Sequence, residues 1–190
     1  LPVFTPIVGY WGGTNSPCLP IKTYIHPHTT IHHTMNTRVA SIKADLKILA
    51  YQQDTLAAAL KSCHLHAIIM CDPKCREPRD TAEQLYCDAL CLADDILRVK
   101  MGRTCKALEK SVVLLRESVK GDVHAGVGVD NVLRDIVNVM RVAEEAVEFY
   151  KTPRNALAEQ ASTAILSVLC WYRVDLEAVE KAIYNCLAIC

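Results

Sequence analysis

The stretch Val39–Met70, VASIKADLKILAYQQDTLAAALKSCHLHAIIM, decides how the rest of the chain is read. Its apolar places fall at Val39, Ile42, Leu46, Leu49, Leu56, Leu60, Cys63, Ala67 and Met70, with Gln53 taking one place in the series. The steps alternate between three and four residues. On a helix of about 3.6 residues per turn that keeps every one of these side chains on one face. A strand needs alternation at every second residue, and no segment of the chain sustains it. The spacing predicts a long amphipathic helix. Asp72-Pro73 ends it, because a residue before proline avoids helical backbone.

Toward the C-terminus the same reading continues. A second helix opens near Asp80-Thr81, with Glu83 in its first turn where an acid suits the helix dipole. Its seam is Ala82, Leu85, Ala89, Leu92, Ile96 and Val99. The phase then slips and resumes as Met101, Cys105, Leu108, Val112, Leu115 and Val119. Either one helix with a stutter or two helices broken near Gly102 would produce that slip. Lys120–Gly128 reads as a loop from its glycines. A third helix follows from Asp130 through Leu133, Ile136, Met140, Ala143, Val147 and Tyr150. Thr152-Pro153 reads as a cap and first-turn proline for a last helix carrying Ala161, Ile165, Val168, Tyr172, Leu176, Val179, Ile183, Cys186 and Cys190.

Upstream of the deciding stretch the composition changes. Five of the eight prolines and three of the seven glycines lie in the first 27 residues. Residues 1–35 are therefore expected to be an irregular arm, packed on the body by Phe4, Tyr10, Trp11 and Tyr24 and tied down by Cys18. The expected fold class is all-α: an elongated antiparallel bundle of four main helices over residues 36–190, stapled by disulfides.

Ten cysteines support the staples: Cys18, Cys63, Cys71, Cys75, Cys87, Cys91, Cys105, Cys170, Cys186 and Cys190. An even and high count belongs to oxidising compartments, so the protein is expected to be secreted. A start at Leu1 rather than Met fits removal of a signal peptide. Cysteines four apart share a helix face, and Cys71-x3-Cys75 can meet Cys87-x3-Cys91 across an antiparallel hairpin centred near Thr81. Cys75–Cys87 and Cys71–Cys91 are then the expected rungs. This spacing resembles that of the α-hairpinin peptides over those 21 residues, and no function is carried over from it. Cys186 and Cys190 are expected to bridge to other parts of the molecule, with Cys18, Cys63, Cys105 and Cys170 as the remaining candidates.

Lys plus Arg equals Asp plus Glu at 21 each, so the charge leaves no footprint for nucleic acid. No apolar run is long enough for a transmembrane segment. His26, His28, His32 and His33 could ligate copper, nickel or zinc. A proline-rich arm fixes such ligands poorly, however, so no metal and no cofactor is expected. His64 and His66 read as helix-margin residues. Asp94-Asp95 and Glu144-Glu145 point about 100° apart on a helix and make poor carboxylate pairs. No His-Glu-x-x-His, Gly-x-Ser-x-Gly or phosphate-cradling loop is present. The expectation is a secreted, non-enzymatic binding protein, an effector, surface or body-fluid factor acting through a helical surface on a protein partner or by self-association. The rivals are a carrier of an apolar small molecule between helices and a self-assembling structural protein of the extracellular space.

Overall fold

The long seam produces a longer helix than its apolar places require. In the computed structural model, which describes residues 27–74, 78–118 and 123–171, helix α1 spans Pro27–Cys71. At about 1.5 Å per residue its 45 residues reach roughly 68 Å. It begins inside the stretch expected to be irregular. Proline fits the first helical position, where its missing N–H has no partner to lose and its fixed φ already suits the helix. Residues 27–35 are thus helical, and His28, His32 and His33 lie on α1. His26, the aromatics of the arm and Cys18 lie outside the described residues.

Every seam residue from Val39 to Ala67 is buried, and Met70 packs half-buried on the same cluster. One of them breaks the apolar rule. Gln53 is buried, and both its amide oxygen and nitrogen lack a hydrogen-bond partner. An unmet buried amide costs about 1–3 kcal/mol. Gln53→Leu is therefore expected to stabilise the fold by about 1–3 kcal/mol, or roughly 2–4 °C in Tm per kcal/mol for a chain of this size. An unchanged or lower midpoint in thermal or urea unfolding would show that this amide is satisfied.

After the connection at residues 72–78 comes a helical run from 79 to 118. It comprises α2 (Arg79–Asp95), a π-helical turn (Ile96–Met101) and α3 (Gly102–Ser118). The phase slip in the sequence is this π turn. Buried Ile96 and buried Met101 are five residues apart, the π spacing, and the core face is carried across without a break. The run lies antiparallel to α1. Arg38 near the start of α1 donates through Nη1 to the Leu114 carbonyl at 3.1 Å and to Ser118 Oγ at 2.7 Å near the end of α3.

The seam of α2 differs from the expected one. Ala82, Tyr86, Ala89, Ala93, Ile96 and Leu97 are buried, while Leu85, Leu92 and Val99 are exposed. Alanines bring the helix close to α1, and Tyr86 fills the depth that leucines were expected to fill. Helix α4 (Val123–Tyr150) starts inside the expected loop. Gly126 sits within it with nothing inside 4 Å of a would-be Cβ. Burial of Val129 and Val132 anchors that first half and outweighs the poor helix propensity of the glycines.

Helix α5 (Pro153–Ala156) is short, and helix resumes as α6 at residues 159–171. The expected single helix is interrupted where packing gives the Ala156 carbonyl other partners. In a continuous helix the Ala156 carbonyl would accept from the N–H of Gln160. Here it accepts from Ser162 Oγ at 3.1 Å and from the His64 ring of α1. One core joins α1, α2, α3 and α4 with Ala156 and Leu169. Among the described residues every regular element is helical, and no helix is long and apolar enough to cross a membrane.

Candidate functional site

The cysteines come first, because they carry the sharpest expectation. Cys63 and Cys105 are buried, Cys71, Cys87, Cys91 and Cys170 are exposed, and all six stand as free thiols. The Cys71–Cys91 rung is not formed, and helix register explains why. Cys71 ends α1 where α2 begins at Arg79, and Cys91 lies twelve residues further along α2. That offset is about 18 Å along the axis, against the roughly 7 Å a disulfide tolerates between Cα atoms. The turn is centred between Asp72 and Asp80, not at Thr81, which lies inside α2. Cys87, expected to bridge to Cys75, is free, and Cys75 lies outside the described residues, as do Cys18, Cys186 and Cys190.

The interior holds a small polar cluster between α1, α2 and α4. The Tyr86 hydroxyl donates to the Tyr150 carbonyl at the end of α4. Tyr150 is fully buried, its ring meets Phe149 edge-on at 5.4 Å, and its hydroxyl has Ser162 as its polar neighbour. Burial pushes the Cys63 thiol up to about 11, with Cys87 adding to it. Burial likewise pushes Tyr86 up to about 12 and raises Tyr150. Cys63, Tyr86 and Tyr150 are all held in their neutral forms, the opposite of what an activated nucleophile requires. His64 must carry its proton on Nδ1, since a carbonyl only accepts, and His66 Nδ1 is buried without a partner. Among the described residues no three His, Cys, Asp or Glu side chains gather as metal ligands.

On the surface, an open groove of roughly 620 Å³ runs where α2 and the π turn meet α4. Leu90, Val99 and Val147 give it apolar walls, and Asp94, Arg98 and Lys151 line its rim. Three of the four acids expected to be poor pairs are engaged with cations instead: Asp94 with Arg98 at 2.7 Å, Asp95 with Lys100 at 3.7 Å and Glu145 with Arg141 at 2.6 Å.

The larger feature lies on α1. Opposite its buried face runs a second series: Ile48, Tyr51, Thr55, Ala58, Ser62, Leu65 and Ile69. These residues also step by three and four, shifted two positions from the core seam, which places them about 180° around the helix. Ile48 is 48% exposed, Tyr51 72% and Leu65 55%. Ala58 is exposed, and Thr55, Ser62 and Ile69 are half-buried. The Thr55 hydroxyl bonds back to the Tyr51 carbonyl at 2.9 Å, which leaves its methyl group for contact. From Ile48 to Cys71 only Asp54 and Lys61 carry full charge. A helix this apolar on both sides is normally covered on both. The sequence held the signal for this second face, in the same spacing one phase away and in the scarcity of charge. Reading one seam per helix passed over it.

Comparison with protein-family models, with curated proteins and with solved structures finds no match.

Proposed function

We propose that the protein is a non-enzymatic binding factor of an extracellular compartment, acting through a helical surface. The observation that carries this reading is the second face of α1, where Ile48, Tyr51 and Leu65 stand exposed in one stripe. Isolated apolar side chains at a surface are ordinary, whereas a contiguous series marks a contact site. The secreted setting rests on the ten cysteines. The disulfide-stapled, four-helix form of the architecture belongs to the same proposal, with the bridges left to Cys18, Cys75, Cys186 and Cys190, since the other six cysteines are free. The carrier reading is favoured by a different observation, the apolar walls of the groove beside the π turn, whose size suits a small molecule.

Native mass spectrometry of protein isolated gently from its own source tests the two readings. A macromolecular complex of defined stoichiometry is the expected result. Release of a bound apolar small molecule from an uncomplexed chain would replace the binding reading with the carrier one. A bare chain with neither would sink both.

A further inference from the structure

We infer that Cys63 and Cys87, free thiols in this structure, are a dithiol that closes into a disulfide between α1 and α2 on meeting a small-molecule disulfide. This does not rest on the binding reading, and the bridge it adds is reversible. The hairpin register that keeps Cys71 from Cys91 brings this pair level. Cys63 lies eight residues before Cys71, where α1 ends, and Cys87 lies eight residues after Arg79, where α2 begins. Each is therefore about 12 Å from the turn along its own helix. The buried faces agree. Ala67, Cys63, Leu60 and Leu56 descend α1 in steps of four, three and four, and Ala82, Tyr86, Ala89 and Ala93 climb α2 in the same steps. Cys63 thus meets α2 at Tyr86 and Cys87. Three alanines on the α2 side bring the two axes toward the close end of helix packing, about 8 Å. With Cα atoms about 2.3 Å out from each axis, facing residues fall within the roughly 7 Å between Cα atoms that a disulfide tolerates.

The two thiols differ in access. Cys63 is fully buried, whereas Cys87 stands exposed one residue past buried Tyr86. They are within reach of one another's charge: Cys87 adds to the upward push on the Cys63 thiol, and both add to that on Tyr86. Capture therefore falls to Cys87. Its thiolate attacks one sulfur of a low-molecular-weight disulfide such as oxidised glutathione, and one small thiolate leaves. Cys63 then gives its proton to water, its sulfur attacks the Cys87 sulfur, and the second small thiolate leaves. Two protein thiols have lost two electrons and two protons, and one small disulfide has become two small thiols. Closure is the slow step, because burial keeps Cys63 protonated. Cys91, four residues further along α2, does not compete, since two cysteines so spaced within a regular helix lack good disulfide geometry.

The test is disulfide mapping of the full chain. The protein is reduced under native conditions, cleared of reductant and incubated with oxidised glutathione. Samples taken over time are quenched by alkylation and digested for mass spectrometry. A peptide joining Cys63 to Cys87 is the expected product, preceded by glutathione on Cys87. In Cys63→Ala the glutathione on Cys87 should persist, and in Cys87→Ala residue Cys63 should remain a thiol. The bridged parent should melt roughly 5–10 °C above its reduced form, because the bridge restricts the unfolded chain. Cys63 left as a thiol while Cys87 keeps its glutathione overturns the inference, and so does either cysteine joined to a different one. A bridged form that melts no higher than the reduced one also overturns it, by showing that the native helices do not present the pair for bonding. The parent's own map decides the matter even where a variant fails to fold.

Discussion

Between about pH 9 and pH 12 the protein is expected to unfold, losing its helical circular dichroism in one cooperative step. The cause is the set of weak acids sealed in the core. Cys63 and Cys105 are buried, and burial pushes their thiols from 9.0 up to about 11 and about 12. Tyr86 is pushed from 10.0 up to about 12, and burial raises Tyr150 as well. In this window the folded protein keeps protons that the unfolded chain releases. Stability therefore falls as pH rises: it is fully present below about pH 9 and is lost as the native groups are forced to ionise. Each tenfold difference in proton affinity is about 1.4 kcal/mol. Several such groups together amount to several kcal/mol, comparable with the roughly 5–15 kcal/mol that holds a domain folded. A pH titration followed by far-ultraviolet circular dichroism checks this, with reductant present. Cys105→Ala should move the midpoint to higher pH, because one of the acids is gone. A protein still fully helical near pH 12 would mean that these groups are not sealed from water.

The second large effect is expected at Tyr150, where two substitutions should differ sharply in size. Tyr150→Ala removes the largest fully buried side chain among the described residues and the edge-on contact with Phe149. Loss of a buried aromatic costs about 3–5 kcal/mol, through lost transfer energy and the cavity left behind. For this chain length that corresponds to roughly 6–20 °C in Tm. Tyr150→Phe keeps the ring and removes only a buried hydroxyl whose one polar neighbour is Ser162, so it should change stability by no more than about 1 kcal/mol. The Tyr86 bond survives in both variants, because it lands on the backbone carbonyl of residue 150. Calorimetry of the two variants beside the parent decides it. A Tyr150→Phe variant that loses more than about 1 kcal/mol would show that the hydroxyl is engaged beyond Ser162.

The candidate site was half legible before folding was considered. The core seam of α1 follows from spacing alone, and so does its second face, since both are periodicities of one helix. The cysteine rungs show the limit. Equal spacing in Cys71-x3-Cys75 and Cys87-x3-Cys91 suggested a symmetric hairpin about Thr81, while Asp72-Pro73 and Asp80-Thr81 placed the turn earlier. The backbone signals prevailed, because a proline breaks a helix anywhere past its first turn, whereas thiol spacing only permits a pairing.

By itself, the sequence determined that the chain is helical, where the phase slips, and which side of α1 turns inward. These are local matters, set by hydrophobic period and backbone chemistry within a few turns. The tertiary structure alone decided that the slip becomes a π turn, because the core face on both sides of it must meet one partner, α1. It decided that Tyr86, Ala93 and Leu97 go inside while Leu85, Leu92 and Val99 stay out. On a helix with apolar residues around most of its circumference, the neighbour's shape chooses the buried side. It also decided that the last helix breaks after Ala156, whose carbonyl goes to His64 and Ser162, the first of them 92 residues away in sequence. No local rule contains a contact over that separation, because the partner is supplied by packing rather than by the chain's own neighbours.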